Sequence, residues 1–125
     1  MKKPDVSIII LNYNAEKFLR ETLNSIMMQK GVIGETIVVD NNSSDGSNVM
    51  VAKEFKNVRW VEHHTSLSFS AGNNAGLPFV RSDAVLFLNP DASFSAPTDL
   101  KMCLDKLWSD ETIGALTARV NLVLT

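Results

Sequence analysis

The chain has 125 residues, 45% hydrophobic and 21% charged, which suits a single globular domain with a real core. Twelve basic residues against 14 acidic leave a net charge of -2, which excludes a strongly basic nucleic-acid surface. A single cysteine, Cys103, excludes an internal disulfide framework, and no apolar run approaches the roughly 18 residues a membrane helix needs. On these grounds the chain is expected to be cytoplasmic, with Cys103 packed on an apolar helix face and no secretory signal behind Lys2-Lys3.

Val6-Ser7-Ile8-Ile9-Ile10-Leu11 is β-branched and nearly all apolar, so it reads as a first buried strand. Asn12-Tyr13-Asn14 follows as a polar turn, with Asn14 suited to cap the next helix. Phe18, Leu19, Thr22, Leu23, Ile26 and Met27 recur on one helical face over residues 15–29, and Gly31 closes that helix. Thr36-Ile37-Val38-Val39-Asp40 is the second strand, leading into the turn-rich run Asn41 to Ser47. A second helix is expected over residues 48–55, with Val49, Ala52 and Phe55 inward. Residues 58–62 alternate in polarity, as a third strand at a more exposed position would. Residues 70–81 read as a helix in which Gly72 and Gly76 each cost about 1 kcal/mol relative to alanine; close approach to a ligand or a neighbouring element would explain them. Residues 84–88 form a fourth strand. Pro97 opens a further helix with Leu100, Cys103, Leu104, Leu107 and Trp108 on its apolar face, and residues 113–117 and 120–124 supply final strands.

Strands alternating with helices predict an α/β fold, a mainly parallel sheet with helices on both faces and its strand ends on one rim. Tyr13, Asp40 and Asp91 would share that rim. The run Val85-Leu86-Phe87-Leu88 reads as a central strand, stopped by Asn89-Pro90, with Asp91 just past its carboxyl end. A carboxylate there, two residues after an amide oxygen, suits a divalent cation carrying phosphates; the plain alternative is a strand-end turn. Asp40 likewise suits a ribose hydroxyl or base N–H, or else opens an Asx turn. Neither a dinucleotide G-x-G-x-x-G nor a P-loop glycine run follows the first strand, so phosphates would depend on a metal at Asp91.

Four ordered blocks carry a family resemblance over nearly the whole chain. Val6 to Asn14 resembles the opening strand and turn of the family 2 inverting glycosyltransferases of GT-A fold. Residues 37–47 resemble that family's second strand and loop. Phe69 to Gly76 and Leu86 to Asp91 resemble its rhamnosyltransferase-like branch. The resemblance implies a Rossmann-like nucleotide-sugar site in which Leu11 and Tyr13 line the nucleoside pocket, Asp40 bonds the base or ribose, and Asn73 approaches the base. It implies that Asp91, with Asn89 beside it, binds Mn²⁺ or Mg²⁺ at the diphosphate. Asn89 stands where the family's first aspartate of D-x-D usually stands, which removes one charge.

The expectation is therefore one GT-A-like donor-binding domain over residues 1–125, stopping short of an acceptor-binding half. The partners implied are a nucleoside-diphosphate-sugar and an acceptor glycan or lipid-linked sugar, with a peripheral place at the inner membrane face in a full-length context. Pairing with another copy through a bare sheet edge is also expected. No residue is assigned as catalytic base; His63 and His64 read as solvated strand-end residues. The rival expectations are a non-catalytic nucleotide-binding or assembly module of the same fold, and a phospho-acceptor receiver. The receiver is disfavoured because the first turn holds only amides and tyrosine.

Overall fold

A computed structural model describes residues 2–122. In chain order it contains β1 (Val6–Asn12), α1 (Glu16–Met27), β2 (Gly34–Asn41), α2 (Ser47–Glu54), β3 (Arg59–His63), α3 (Phe69–Asn74), a 3₁₀ turn over Leu77–Phe79, β4 (Val85–Phe87) and α4 (Asp99–Trp108). The four strands are parallel and lie in the order β3-β2-β1-β4. The α/β expectation holds, and so does the exposed position of β3, which is an edge strand.

β1 and β2 are the buried centre. Ile8, Ile9, Ile10, Ile37, Val38 and Val39 are almost wholly withdrawn from solvent; each such side chain contributes roughly 1.5–3 kcal/mol of hydrophobic stabilisation. Because successive strand residues face opposite ways, the sheet feeds two cores. Val6, Ile8, Ile10 and Val38 pack with Leu19, Leu23, Met50, Val51, Phe55, Leu100 and Leu104 of α1, α2 and α4 and their ends. Ile9, Ile37 and Val39 pack on the other face with Leu11 of β1 and with Ala75, Phe79 and Val80, which follow α3.

Several elements differ from expectation for identifiable reasons. β4 is an edge strand among the described residues, not a central one. Leu86 and Leu88 pack into the larger core, while Val85 and Phe87 stand on the opposite face and are exposed. A run apolar on both faces therefore did not mean burial on both faces. α2 turns Met50 and Val51 inward and leaves Val49 and Ala52 outside. The helix expected over residues 70–81 breaks after Asn74, and Pro78 falls in the short 3₁₀ turn that follows. Residues 113–122 form no strand, and the rest of the expected final strand, residues 123–124, lies outside the described residues. Cys103 is half-buried rather than buried.

Candidate functional site

The carboxyl rim of the sheet is built around the ends of β1 and β2. Parallel register sets Asn12 beside Asp40. Both residues are withdrawn from solvent, Asn12 at 0% exposure and Asp40 at 6%. Asn12 Nδ2 donates to Asp40 Oδ1 at 3.0 Å, and the Ser43 backbone N–H donates to Asp40 Oδ2 at 3.0 Å. Asp40 thus spends one bond from each oxygen on holding its own position. The remaining lone pairs are open to a donor from a ligand. The Asx-turn alternative is realised in part, by the Ser43 bond, but the turn does not use up the carboxylate.

The β1–α1 and β2–α2 loops are tied together. Asn14 and Asn42 both take left-handed backbone conformations, φ 48° and 63°, which asparagine tolerates better than most residues. Asn14 does not cap α1 as expected. Its Oδ1 instead accepts from the backbone N–H of Ser44 at 2.7 Å and of Asp45 at 3.2 Å, while its own N–H donates to Ser43 Oγ. Asp45 supplies the missing caps: Oδ2 accepts from Glu16 N at 3.1 Å, at the start of α1, and Oδ1 from Ser47 N at 3.0 Å, at the start of α2. Burial works against ionisation of Asp45, but hydrogen bonds from the Ser47 hydroxyl and from the Ser47 and Glu16 N–H groups outweigh it and hold the carboxyl below its ordinary range.

Next to this pair, Asn41 clamps the chain leaving β3. Its Nδ2 donates to the carbonyl of Leu67 at 3.0 Å and its Oδ1 accepts from Leu67 N at 2.7 Å. α3 then lies against β1, with Ser68 Oγ accepting from Ala71 N as its cap. A Cβ on Gly72 would meet Leu11 Cδ1 at 2.6 Å, and one on Gly76 would meet Ile9 at 3.0 Å. The two glycines therefore serve the close approach of a neighbouring element. Leu11 is half-buried beneath α3, and Asn73 is buried with Nδ2 bonded to the Phe69 carbonyl of its own helix. Tyr13 is 59% exposed beyond Asn12.

The Asn89–Asp91 turn leaves β4 on the same rim. Leu88 N donates to the Ile9 carbonyl at 2.9 Å, which carries the pairing with β1 past β4, and Ala92 N closes the turn on the Asn89 carbonyl. Thr22 Oγ1 of α1 lies 2.8 and 2.7 Å from the carbonyl oxygens of Pro90 and Ala92, so one hydroxyl proton is shared between them. The turn is held by backbone contacts, and the side chains of Asn89 and Asp91 are left exposed. Among the described residues no three His, Cys, Asp or Glu side chains cluster as a metal cage. One carboxylate and one amide oxygen on a fixed turn fit a hard cation that takes its other ligands from water and phosphate.

Rim and turn together thus bring Asp40, Tyr13, Asn89 and Asp91 to one side of the sheet, with Leu11 under α3 and Asn73 buried within α3. Sequence reasoning missed Asn12 and Asn41. Asn12 was read as part of a turn; the missing signal is register, since an amide one residue past an apolar strand falls opposite Asp40. His64 is exposed, as expected, whereas His63 at the end of β3 is half-buried. A cavity of about 410 Å³ lies at the opposite pole, where Lys3 and Lys101 are paired with Asp83 and Asp105.

In open parallel α/β sheets ligands bind outside the carboxyl ends of the strands, which is where this rim lies. The chain belongs to Glycosyl transferase family 2, whose family match spans residues 7–121. It is 33% identical over 124 residues to the hyaluronan synthase of Streptococcus pyogenes, covering 93% of this chain and 29% of that protein. Its fold resembles the mannosyltransferase PcManGT from Pyrobaculum calidifontis in complex with GDP-Man and Mn²⁺, with TM-score 0.79 and 25% identity over 90% of this chain and 34% of the other. It also resembles S. aureus TarS 1-349 in complex with UDP-GlcNAc, with TM-score 0.71 and 25% identity over 82% of this chain and 32% of the other. The chain spans about a third of the length of these relatives. The expected GT-A type of fold is borne out.

Proposed function

We propose that the chain is the donor-binding part of a glycosyltransferase, holding a nucleoside-diphosphate-sugar at the β1/β2/β4 rim for transfer to an acceptor hydroxyl with inversion. The observation that carries the reading is Asp40, a buried carboxylate fixed through both oxygens at the rim of a family 2 chain, with lone pairs left for a nucleoside donor group. Neighbours of the same fold hold GDP-Man or UDP-GlcNAc, which supports a nucleotide-sugar as ligand.

In this reading Asp40 orients the base or ribose, and Tyr13 covers it with an exposed ring. Leu11, under α3, and Asn73, in α3, form the floor. Asp91 and Asn89 would hold Mn²⁺ or Mg²⁺ against the diphosphate. A bound cation supplies charge neutralisation for the departing diphosphate. The Thr22 hydroxyl, bonded to the turn backbone, keeps Asp91 and Asn89 in place for it. The acceptor glycan or lipid-linked sugar, the inner-membrane location and pairing of copies through the free edge of β4 belong to the same proposal. The rhamnosyltransferase-like branch rests on the Phe69–Gly76 and Leu86–Asp91 blocks alone.

Titration calorimetry with a panel of nucleoside diphosphates tests it. Binding to at least one, tightened by Mn²⁺, is expected; Asp91→Ala should remove the Mn²⁺ dependence, and Asp40→Asn should weaken binding with or without metal. No binding to any of the panel at millimolar concentration would sink the proposal. A non-catalytic binding or assembly module is the second reading, favoured by Asn89, which withholds one negative charge from the cation. Turnover of a nucleotide-sugar by the chain would decide against it.

A further inference from the structure

We infer that Asn12 is a positioning residue for nucleoside recognition, setting the orientation of Asp40. The inference rests on the donor-site reading above. Asn12 ends β1 with no exposed surface, wedged between the sheet and the β2–α2 loop. Its Nδ2 has two partners, Asp40 Oδ1 at 3.0 Å and Ser43 Oγ at 3.4 Å. Its Oδ1 is buried with no hydrogen-bond partner among the described residues.

Those two facts pull against each other in a telling way. Turning the amide over would set Oδ1 against the Asp40 carboxylate, oxygen against oxygen, so the donor side is locked toward Asp40. The price is an orphaned acceptor in the interior, which a buried polar group seldom tolerates without a reason. A leucine has nearly the same shape and would remove that penalty, but it would leave Asp40 Oδ1 without its N–H donor. What the amide supplies and leucine cannot is a fixed N–H on one oxygen of Asp40. With Ser43 N on the other oxygen, it stops the carboxylate from rotating and presents the same lone pairs to each arriving ligand. Asn12 itself does not reach the rim surface; it acts through Asp40.

The test is a double-mutant cycle on the full 125-residue chain, with nucleoside diphosphate affinity followed by ligand-observed NMR so that millimolar binding remains measurable. Asn12→Leu is expected to lose about tenfold or more in affinity. In an Asp40→Asn background the same change is expected to cost nothing further, because the group it orients is gone. A merely structural asparagine would cost the same in both backgrounds. Either that pattern or unchanged affinity in Asn12→Leu overturns the inference. If the leucine variant does not fold, Asn12→Ser, whose hydroxyl falls short of Asp40, must show the same dependence on Asp40. Wild-type chain that binds no nucleoside diphosphate would overturn the donor-site reading as well, which separates the two failures.

Discussion

Gly72 shows how much of this site is set by a missing side chain. It lets α3 come down on Leu11 until a Cβ would lie 2.6 and 2.7 Å from the two methyl carbons. Alanine is the better helix former by about 1 kcal/mol, so Gly72→Ala would stabilise an isolated helix. Here the overpacking term, about 1–3 kcal/mol, is the larger. Gly72→Ala is expected to lower stability by about 1 kcal/mol in urea unfolding, and shortening Leu11 to alanine in the same chain should recover part of that loss. Independent, additive losses would show that α3 does not rest on Leu11. The glycine was recognisable in the sequence as a sign of close approach; what it approached was not, because contacts between distant residues leave no local trace.

Among the elements, Glu35 ties the start of β2 to β1 and to the segment that leads into β4. Its carboxylate accepts from Ser7 Oγ of β1 at 2.5 Å and from the Arg81 N–H and guanidinium, each at 2.8 Å. Burial works against its ionisation, yet the Ser7 and Arg81 bonds outweigh that and hold the carboxyl below its ordinary 4.5. A folded-state value below the unfolded one means stability that is complete above about pH 4.5 and lost as pH falls further. Urea midpoints measured from about pH 6 down to about pH 3 should therefore fall more steeply for wild type than for Glu35→Gln. Parallel curves would remove Glu35 from the account. The order of elements was legible from periodicity, since β1, β2 and α1 are long enough to show it. The face of α2 was not: Met50 and Val49 are both apolar, and only the neighbours α2 packs against, α1 among them, decide which is buried.

At the scale of the molecule, the sheet is asymmetric. One side of β1 has the long, buried β2; the other has three paired residues of β4, with Phe87 50% exposed. A free strand edge flanked by apolar side chains is a template for another strand. Sedimentation at rising concentration should show self-association of the chain, and Phe87→Lys should reduce it. A wild-type chain that stays monomeric throughout would dismiss the edge as an interface. The sequence placed β4 at the centre because Val85 to Leu88 are all apolar. Strand order depends on pairing partners, and apolar content alone does not report it. The rim survived that error, since parallel strands deliver their carboxyl ends to one side in whatever order they lie.

Asn14 gives its side-chain oxygen to Ser44 and Asp45, and Asp45 in turn holds the first residues of α1 and α2. Neither loop can loosen without releasing the other. Their backbone freedom is therefore surrendered when the chain folds, before any ligand arrives. Preorganisation of this kind removes an ordering cost from association. A nucleotide reaching Asp40 would meet a surface already in its bound shape, and its affinity would be governed by the fit of the contacts.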